Sequence, residues 1–153
     1  MYSGSGDPRK EFIEDLKLNV QSEGSIIVFN QSFEKSRLQE LAIVFPEFSE
    51  WVESVTSRMV DLLRPFQKFQ YYHPGQHGSA SIKVLLPLLA GKEYSMLEIG
   101  NGDTARREFL RVTYSPVDDA ERQRVRQALL EYCSLDTRGM IDIVQKLKEL
   151  VQD

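Results

Sequence analysis

Apolar residues recur at helical spacing near the start of the chain, where Phe12, Ile13, Leu16 and Val20 share one predicted helix face. Asp7 and Pro8 suit the N-cap and first position of that helix, and Ser22-Glu23-Gly24 ends it. The period then changes. Ser25-Ile26-Ile27-Val28-Phe29 is short, β-branched and continuously apolar, the pattern of a strand buried on both faces. Asn30-Gln31-Ser32 breaks it and opens a second helix, with Phe33, Leu38, Leu41 and Ala42 inward and Pro46 as its end. An amphipathic stretch around Trp51, Val55 and Met59 leads into a second strand, Met59-Val60-Asp61-Leu62-Leu63.

The later half is read less sharply. Residues 71–81 hold two His, two Gly and a Pro in a compact loop, and residues 82–89 are apolar enough for helix or strand. A turn at Asn101-Gly102-Asp103 precedes a helix over residues 104–110. Ser115-Pro116-Val117-Asp118 has the form of a capping box with proline at the first position. Val125, Leu129 and Tyr132 form the face of the next helix, and Met140, Val144, Leu147 and Val151 that of a separate last one. The order is α/β in character, with two clear strands, few for a stable sheet. Residues 1–6 read as a flexible N-terminal segment and residues 7–153 as one domain.

Composition narrows the class. A chain of 153 residues, 41% hydrophobic and 27% charged, is an ordinary globular protein with room for one core. No apolar run reaches the roughly 20 residues that span a bilayer, and nothing resembles a signal peptide. Cys133 is the only cysteine, which rules out an internal disulfide and points to the cytoplasm. A net charge of −4 argues against coating nucleic acid by bulk electrostatics, yet is compatible with a site whose acids bind divalent cations.

Tyr132 and Asp136 stand four residues apart and so share a helix face one turn apart. A phenol and a carboxylate so placed suit a two-metal hydrolase, the carboxylate holding a cation and the phenol orienting or helping to deprotonate water. The same letters also describe a half-buried aromatic followed by a helix cap. Two His and one Cys are too few and too scattered for a structural zinc site, and Cys133 reads as a buried thiol among helix core residues. Arg106, Arg107, Arg111, Arg122, Arg124 and Arg126, interleaved with acids, read as a solvated face.

Tyr132-Cys133-x-x-Asp136-Thr137 resembles the third motif of the DEDD 3′–5′ exonuclease superfamily, in its tyrosine-bearing branch. Asn30-x-x-Phe33-Glu34, after a buried strand, is similar to the second motif, with Glu34 where Asp is usual. Glutamate is a competent Mg²⁺ ligand, though its longer side chain shifts the carboxylate outward, and it equally suits the solvated first turn of a helix. A wider resemblance follows Asp7-Pro8-Arg9, Phe29-Asn30-x-x-Phe33-Glu34-Lys35, Asp61-Leu62-Leu63, Gly78-Ser79-x-Ser81-Ile82-Lys83 and Tyr132-Cys133-x-x-Asp136-Thr137 in this order. By these the chain is identified as a member of the bacterial domain of unknown function 2779 family, regarded as ribonuclease-H-like and often C-terminal to a RecB-like nuclease region.

The resemblance implies a ribonuclease-H-like α/β exonuclease fold and phosphodiester hydrolysis from a 3′ end of DNA or RNA. It implies two Mg²⁺ or Mn²⁺ ions held in part by Glu34 and Asp136, and water positioned by Tyr132. Asn30, His73, His77 and Lys83 are the candidate substrate contacts, with Asn30 also fitting a simple N-cap and the His loop a structural turn. Asp61 fits a hydrogen-bonding role at a strand end. The first motif, Asp-x-Glu on an opening strand, does not precede Glu34. The expectation is therefore an incomplete domain lacking its opening strands, inactive alone, dimerising through an exposed sheet edge or packing loosely. The rival expectation is a non-catalytic module that binds nucleic acid or a partner nuclease.

Overall fold

The computed structural model describes residues 6–152, so the segment expected to be flexible at residues 1–6 lies outside them except for Gly6. The chain divides into two compact units, Met1–Arg64 and Pro65–Asp153. The described residues are predominantly helical, with one two-stranded parallel sheet.

The first unit runs α1 (Arg9–Asn19), β1 (Ile26–Val28), α2 (Gln31–Val44), a 3-10 turn (Pro46–Phe48), α3 (Ser49–Ser57) and β2 (Met59–Asp61). Asp7 Oδ1 accepts the Arg9 N–H at 3.0 Å, but the helix starts one residue later than expected, with Pro8 at the N-cap position. The strands pair with Ile26 opposite Met59, Ile27 opposite Val60 and Val28 opposite Asp61. Ile26 and Met59 pack against a core of Ile13, Leu38, Leu41, Phe48, Val52 and Val55. Burial on both faces, expected from the apolar run, does not hold. Side chains alternate along a strand, and Ile27 and Val60 remain 38% and 48% exposed. Phe33 is likewise exposed rather than inward, with the Arg37 guanidinium over its ring.

The sheet end is tied by a side chain. Asp61 Oδ1 accepts the backbone N–H groups of Asn30 and Leu63, each at 3.0 Å. Arg58 donates to the carbonyls of Gln21 and Gly24, each at 2.8 Å, and pins the α1–β1 connection.

The second unit opens in α4 (Arg64–Gln67), which starts at the boundary. It continues through a 3-10 turn (Pro74–Gln76), α5 (Ile82–Ala90), α6 (Gly102–Tyr114) and α7 (Asp119–Leu150). α5 and α6 both pack along α7. The two final helices read from the sequence are one helix of 32 residues. Its cap is Asp118, whose Oδ1 accepts the Glu121 N–H at 2.7 Å, not Ser115. The buried face is Val125, Ala128, Leu129, Gly139 and Ile143, whereas Val151 is 83% exposed. Gly139 looks like a terminator in sequence, since mid-helix glycine costs about 1 kcal/mol. Here it is the point where α5 comes closest: a Cβ at Gly139 would lie 2.9 Å from Leu86 Cδ2, and Leu86 is fully buried.

Within the arginine-rich face, Arg106, Arg107 and Arg124 are exposed, and Arg111 and Arg122 join α6 to α7. Arg111 bonds Glu108 at 2.8 Å and Glu121 at 2.5 Å, Arg124 pairs with Glu121 and Glu98, and Arg122 donates to the carbonyls of Val112 and Val117. Arg124 first, and then Arg111, hold the Glu121 carboxyl down to about 2. A depressed carboxyl contributes stability above its unfolded-state value and loses it as pH falls through the folded one. Acidification from about pH 5 toward pH 2 is therefore expected to lower the melting temperature more steeply in the parent than in Glu121→Gln, as thermal scans at fixed ionic strength would register. Gly139→Val is expected to cost about 1–3 kcal/mol in urea titration, because the added methyls must displace Leu86 from a closed core.

Candidate active site

Tyr132 and Asp136 lie on one face of α7, as their spacing requires, and both are half-buried. A third residue joins them. Tyr94, in the loop between α5 and α6 and only 7% exposed, donates its hydroxyl to Asp136 Oδ1 at 2.6 Å. The Tyr94 and Tyr132 ring centroids are 6.1 Å apart and tilted. Lys83, at the start of α5, donates from Nζ to the Gly100 carbonyl at 2.8 Å, with its ammonium 5.6 Å from the Tyr94 ring centre. A Cβ at Gly100 would meet the Tyr94 carbonyl oxygen at 3.1 Å, so the loop is tight where it passes behind this ring. Asn101 Oδ1 caps α6 through the Thr104 N–H at 2.9 Å.

The electrostatics follow from burial beside one carboxylate. Burial first, and then the charge and hydrogen bond of Asp136, push the Tyr132 phenol up to about 12. The same causes raise Tyr94 further. Both phenols are protonated at neutral pH and act as hydrogen-bonding groups rather than bases. Cys133 is exposed, not buried as its neighbours in sequence suggest, and its thiol is also raised, by partial burial and by Asp136. It is protonated at neutral pH and is not an activated nucleophile.

The remaining candidates separate. Glu34, in the first turn of α2, belongs to the first unit, and Tyr132, Asp136, His73, His77 and Lys83 belong to the second. Glu34 Oε2 is buried with no hydrogen-bond partner, and its carboxyl is raised by burial and, to a smaller extent, by Asp61. An orphaned carboxylate oxygen beside a second carboxylate fits the oxygen donors that a hard divalent cation takes. Among the described residues no group of three or more His, Cys, Asp or Glu is placed to hold a metal ion.

Asn30 is the N-cap residue of α2 in a left-handed conformation (φ 74°) and makes no side-chain cap bond. Its N–H goes to Asp61 and its Oδ1 accepts the Ser32 hydroxyl at 2.9 Å. His73 is a turn residue: its Nδ1 accepts the Gly75 N–H at 3.1 Å, while its own N–H goes to Gln76 Oε1 at 2.8 Å. The neutral ring therefore carries its proton on Nε2. His77 ends the same turn, exposed, at φ 47°. Lys83 alone of the four adjoins the Tyr132–Asp136 face. Tyr94 was missed because it sits in an irregular loop within no recognisable motif. Only the fold brings it to Asp136.

The family described as domain of unknown function (DUF2779) matches residues 2–81. Uncharacterized protein MG366 of Mycoplasma genitalium is 32% identical over 155 residues, which cover 94% of this chain and 23% of that protein. The MG366 homolog of Mycoplasma pneumoniae is 27% identical over 164 residues, 95% of this chain and 25% of its own. Uncharacterized protein UU173 of Ureaplasma parvum is 28% identical over 154 residues, 90% of this chain and 22% of its own. The chain thus spans about a quarter of the length of these relatives. No solved structure matches it at a significant level. No described helix is long and apolar enough to cross a membrane.

Raised phenols stabilise the fold below the ordinary tyrosine range and cease to do so as pH rises through their folded values. Spectrophotometric alkaline titration is expected to show two phenols ionising late, and Asp136→Asn to bring both down. An unchanged profile in that variant would dismiss the contact.

Proposed function

The chain belongs to the domain of unknown function 2779 family, and on that footing we propose that it forms part of a metal-dependent 3′–5′ exonuclease-like domain of ribonuclease-H-like kind, acting on DNA or RNA. The observation that carries this reading is the phenol and carboxylate on one face of α7, with Tyr94 fixing the carboxylate. The carboxylate of Asp136 would contribute to holding Mg²⁺ or Mn²⁺, and Glu34, with its unpartnered oxygen, is the candidate ligand of the first unit. When bound, such a cation supplies Lewis-acid polarisation of the phosphate and neutralises the charge that develops on it.

The protein side chains do the rest by position. Tyr94 holds Asp136 Oδ1 in a fixed orientation, and so sets the direction in which the carboxylate accepts. Tyr132, protonated at neutral pH, orients an attacking water by hydrogen bonding and does not remove its proton. The superfamily's Asp-x-Glu pair does not precede Glu34 in this sequence, so the complete reaction is assigned to a longer protein in which such a strand is present.

The test is release of nucleotides from 3′-labelled single-stranded DNA and RNA in Mn²⁺. This chain is compared with a protein extended upstream through an Asp-x-Glu strand. Release is expected from the extended protein only. Asp136→Ala should abolish it, and Tyr132→Phe should reduce it by roughly 10²-fold or more. No release from any form would leave a binding module as the better account.

A further inference from the structure

One segment of the second unit places aromatic rings in water on a strained backbone. α4 closes through a Schellman-type pair of hydrogen bonds, Gln70 N–H to the Pro65 carbonyl at 2.9 Å and Phe69 N–H to the Phe66 carbonyl at 3.3 Å. The residue that must turn left-handed in such a closure is Phe69, at φ 54°. Glycine is the usual occupant, because an L side chain costs free energy there. The Phe69 ring gains no burial in return, since it is 68% exposed. Beside it Tyr72 is 46% exposed, and the two ring centroids are 5.8 Å apart. Their support is rigid: Phe66 is 1% exposed and takes the Tyr71 ring edge-on at 5.8 Å, so neighbouring residues anchor while Phe69 and Tyr72 project.

The charge of the segment names the kind of ligand. In a chain of net charge −4, no acidic residue occurs between Asp61 and Glu93, while Arg64, Lys68, His73, His77, Lys83 and Lys92 do. Lys83 and Lys92 are bonded to Gly100 and Asp142, whereas Lys68 and His77 stand exposed within a few residues of the aromatic pair. Flat apolar faces in a segment that carries cations and no carboxylate match a ligand with flat faces along an anionic backbone. We propose that Phe69 and Tyr72 form a stacking platform for the unpaired bases of single-stranded nucleic acid, with Lys68 beside it as the phosphate contact. The proposal rests on the exonuclease-like reading for its choice of polymer. It adds the strand state, because stacked bases in a duplex have no free face to offer.

The experiment is fluorescence anisotropy of this chain with labelled oligo-dT, oligo-rU and a blunt duplex of equal length. Chelator replaces divalent cation, so that binding is read without catalysis. Single strands should bind and the duplex should bind more weakly. Phe69→Ala and Tyr72→Ala should each weaken single-strand binding on the order of 5- to 150-fold, and Phe69→Trp should retain it. Lys68→Ala should weaken all single strands alike and reduce the salt slope by about one. Phe69→Gly is the decisive variant: it relieves the left-handed backbone, so it should melt no lower than the parent while losing affinity. Parent-like binding by Phe69→Gly and Tyr72→Ala, equal affinity for the duplex, or no binding at all would overturn the proposal. So would loss of self-association in Phe69→Gly with single-strand binding intact, which would make the pair a contact between protein surfaces. Platform-dependent binding without nucleotide release from any form would retire the exonuclease reading and keep this one.

Discussion

The second unit is organised by a backbone that is never interrupted. A helix of 32 residues rises about 1.5 Å per residue, so α7 runs roughly 48 Å and α5 and α6 pack along it. Within that run, the absent side chain at Gly139 makes room for the buried Leu86 of α5. If the helix broke there, Tyr132 and Asp136 would fall at a fraying end with no fixed relation to Tyr94. Because it runs on, the pair sits near the middle of a hydrogen-bonded rod, and its geometry is set by the rod.

That setting gives the site its chemical character. Two phenols and one carboxylate share a partly dehydrated space, and each phenol is more easily kept neutral because the carboxylate is charged. The ammonium of Lys83, over the Tyr94 ring, is bound to a backbone carbonyl and leaves the carboxylate to the phenol. The first unit presents a simpler arrangement, in which Asp61 spends one oxygen on two backbone amides while the Glu34 carboxylate next to it keeps an oxygen without a partner.

How far the sequence could be read depended on whether the deciding contacts were local. Both strands, the opening helix, the strand-end role of Asp61 and the shared face of Tyr132 and Asp136 follow from period, capping and spacing within a few residues. The single long helix does not, because Gly139 weakens a helix read by itself, and the reason for a glycine there is Leu86, over fifty residues away in the chain. Tyr94 is legible only through Asp136, forty-two residues distant. Ile27 looks buried on an apolarity argument, but a pair of strands whose Ile26 and Met59 meet the core leaves Ile27 and Val60 open. His73 shows the opposite case: a residue type suggestive of substrate contact uses its Nδ1 and its backbone N–H to shape its own turn.

The pairing of β1 with β2 also bears on the order in which the chain acquires its structure. Parallel partners cannot meet through a tight hairpin, and here α2, a turn and α3 intervene before Met59 reaches Ile26. Closing that span loses chain entropy before three residue pairs return anything, so a nucleus built on the strands would be a slow one. Helices form within microseconds from neighbours in sequence, and α2 packed on α3 already carries much of the ordering. The sheet is the part of its unit that spans the most chain, and the Asp61 carboxylate, reaching across to the Asn30 amide, ties its end.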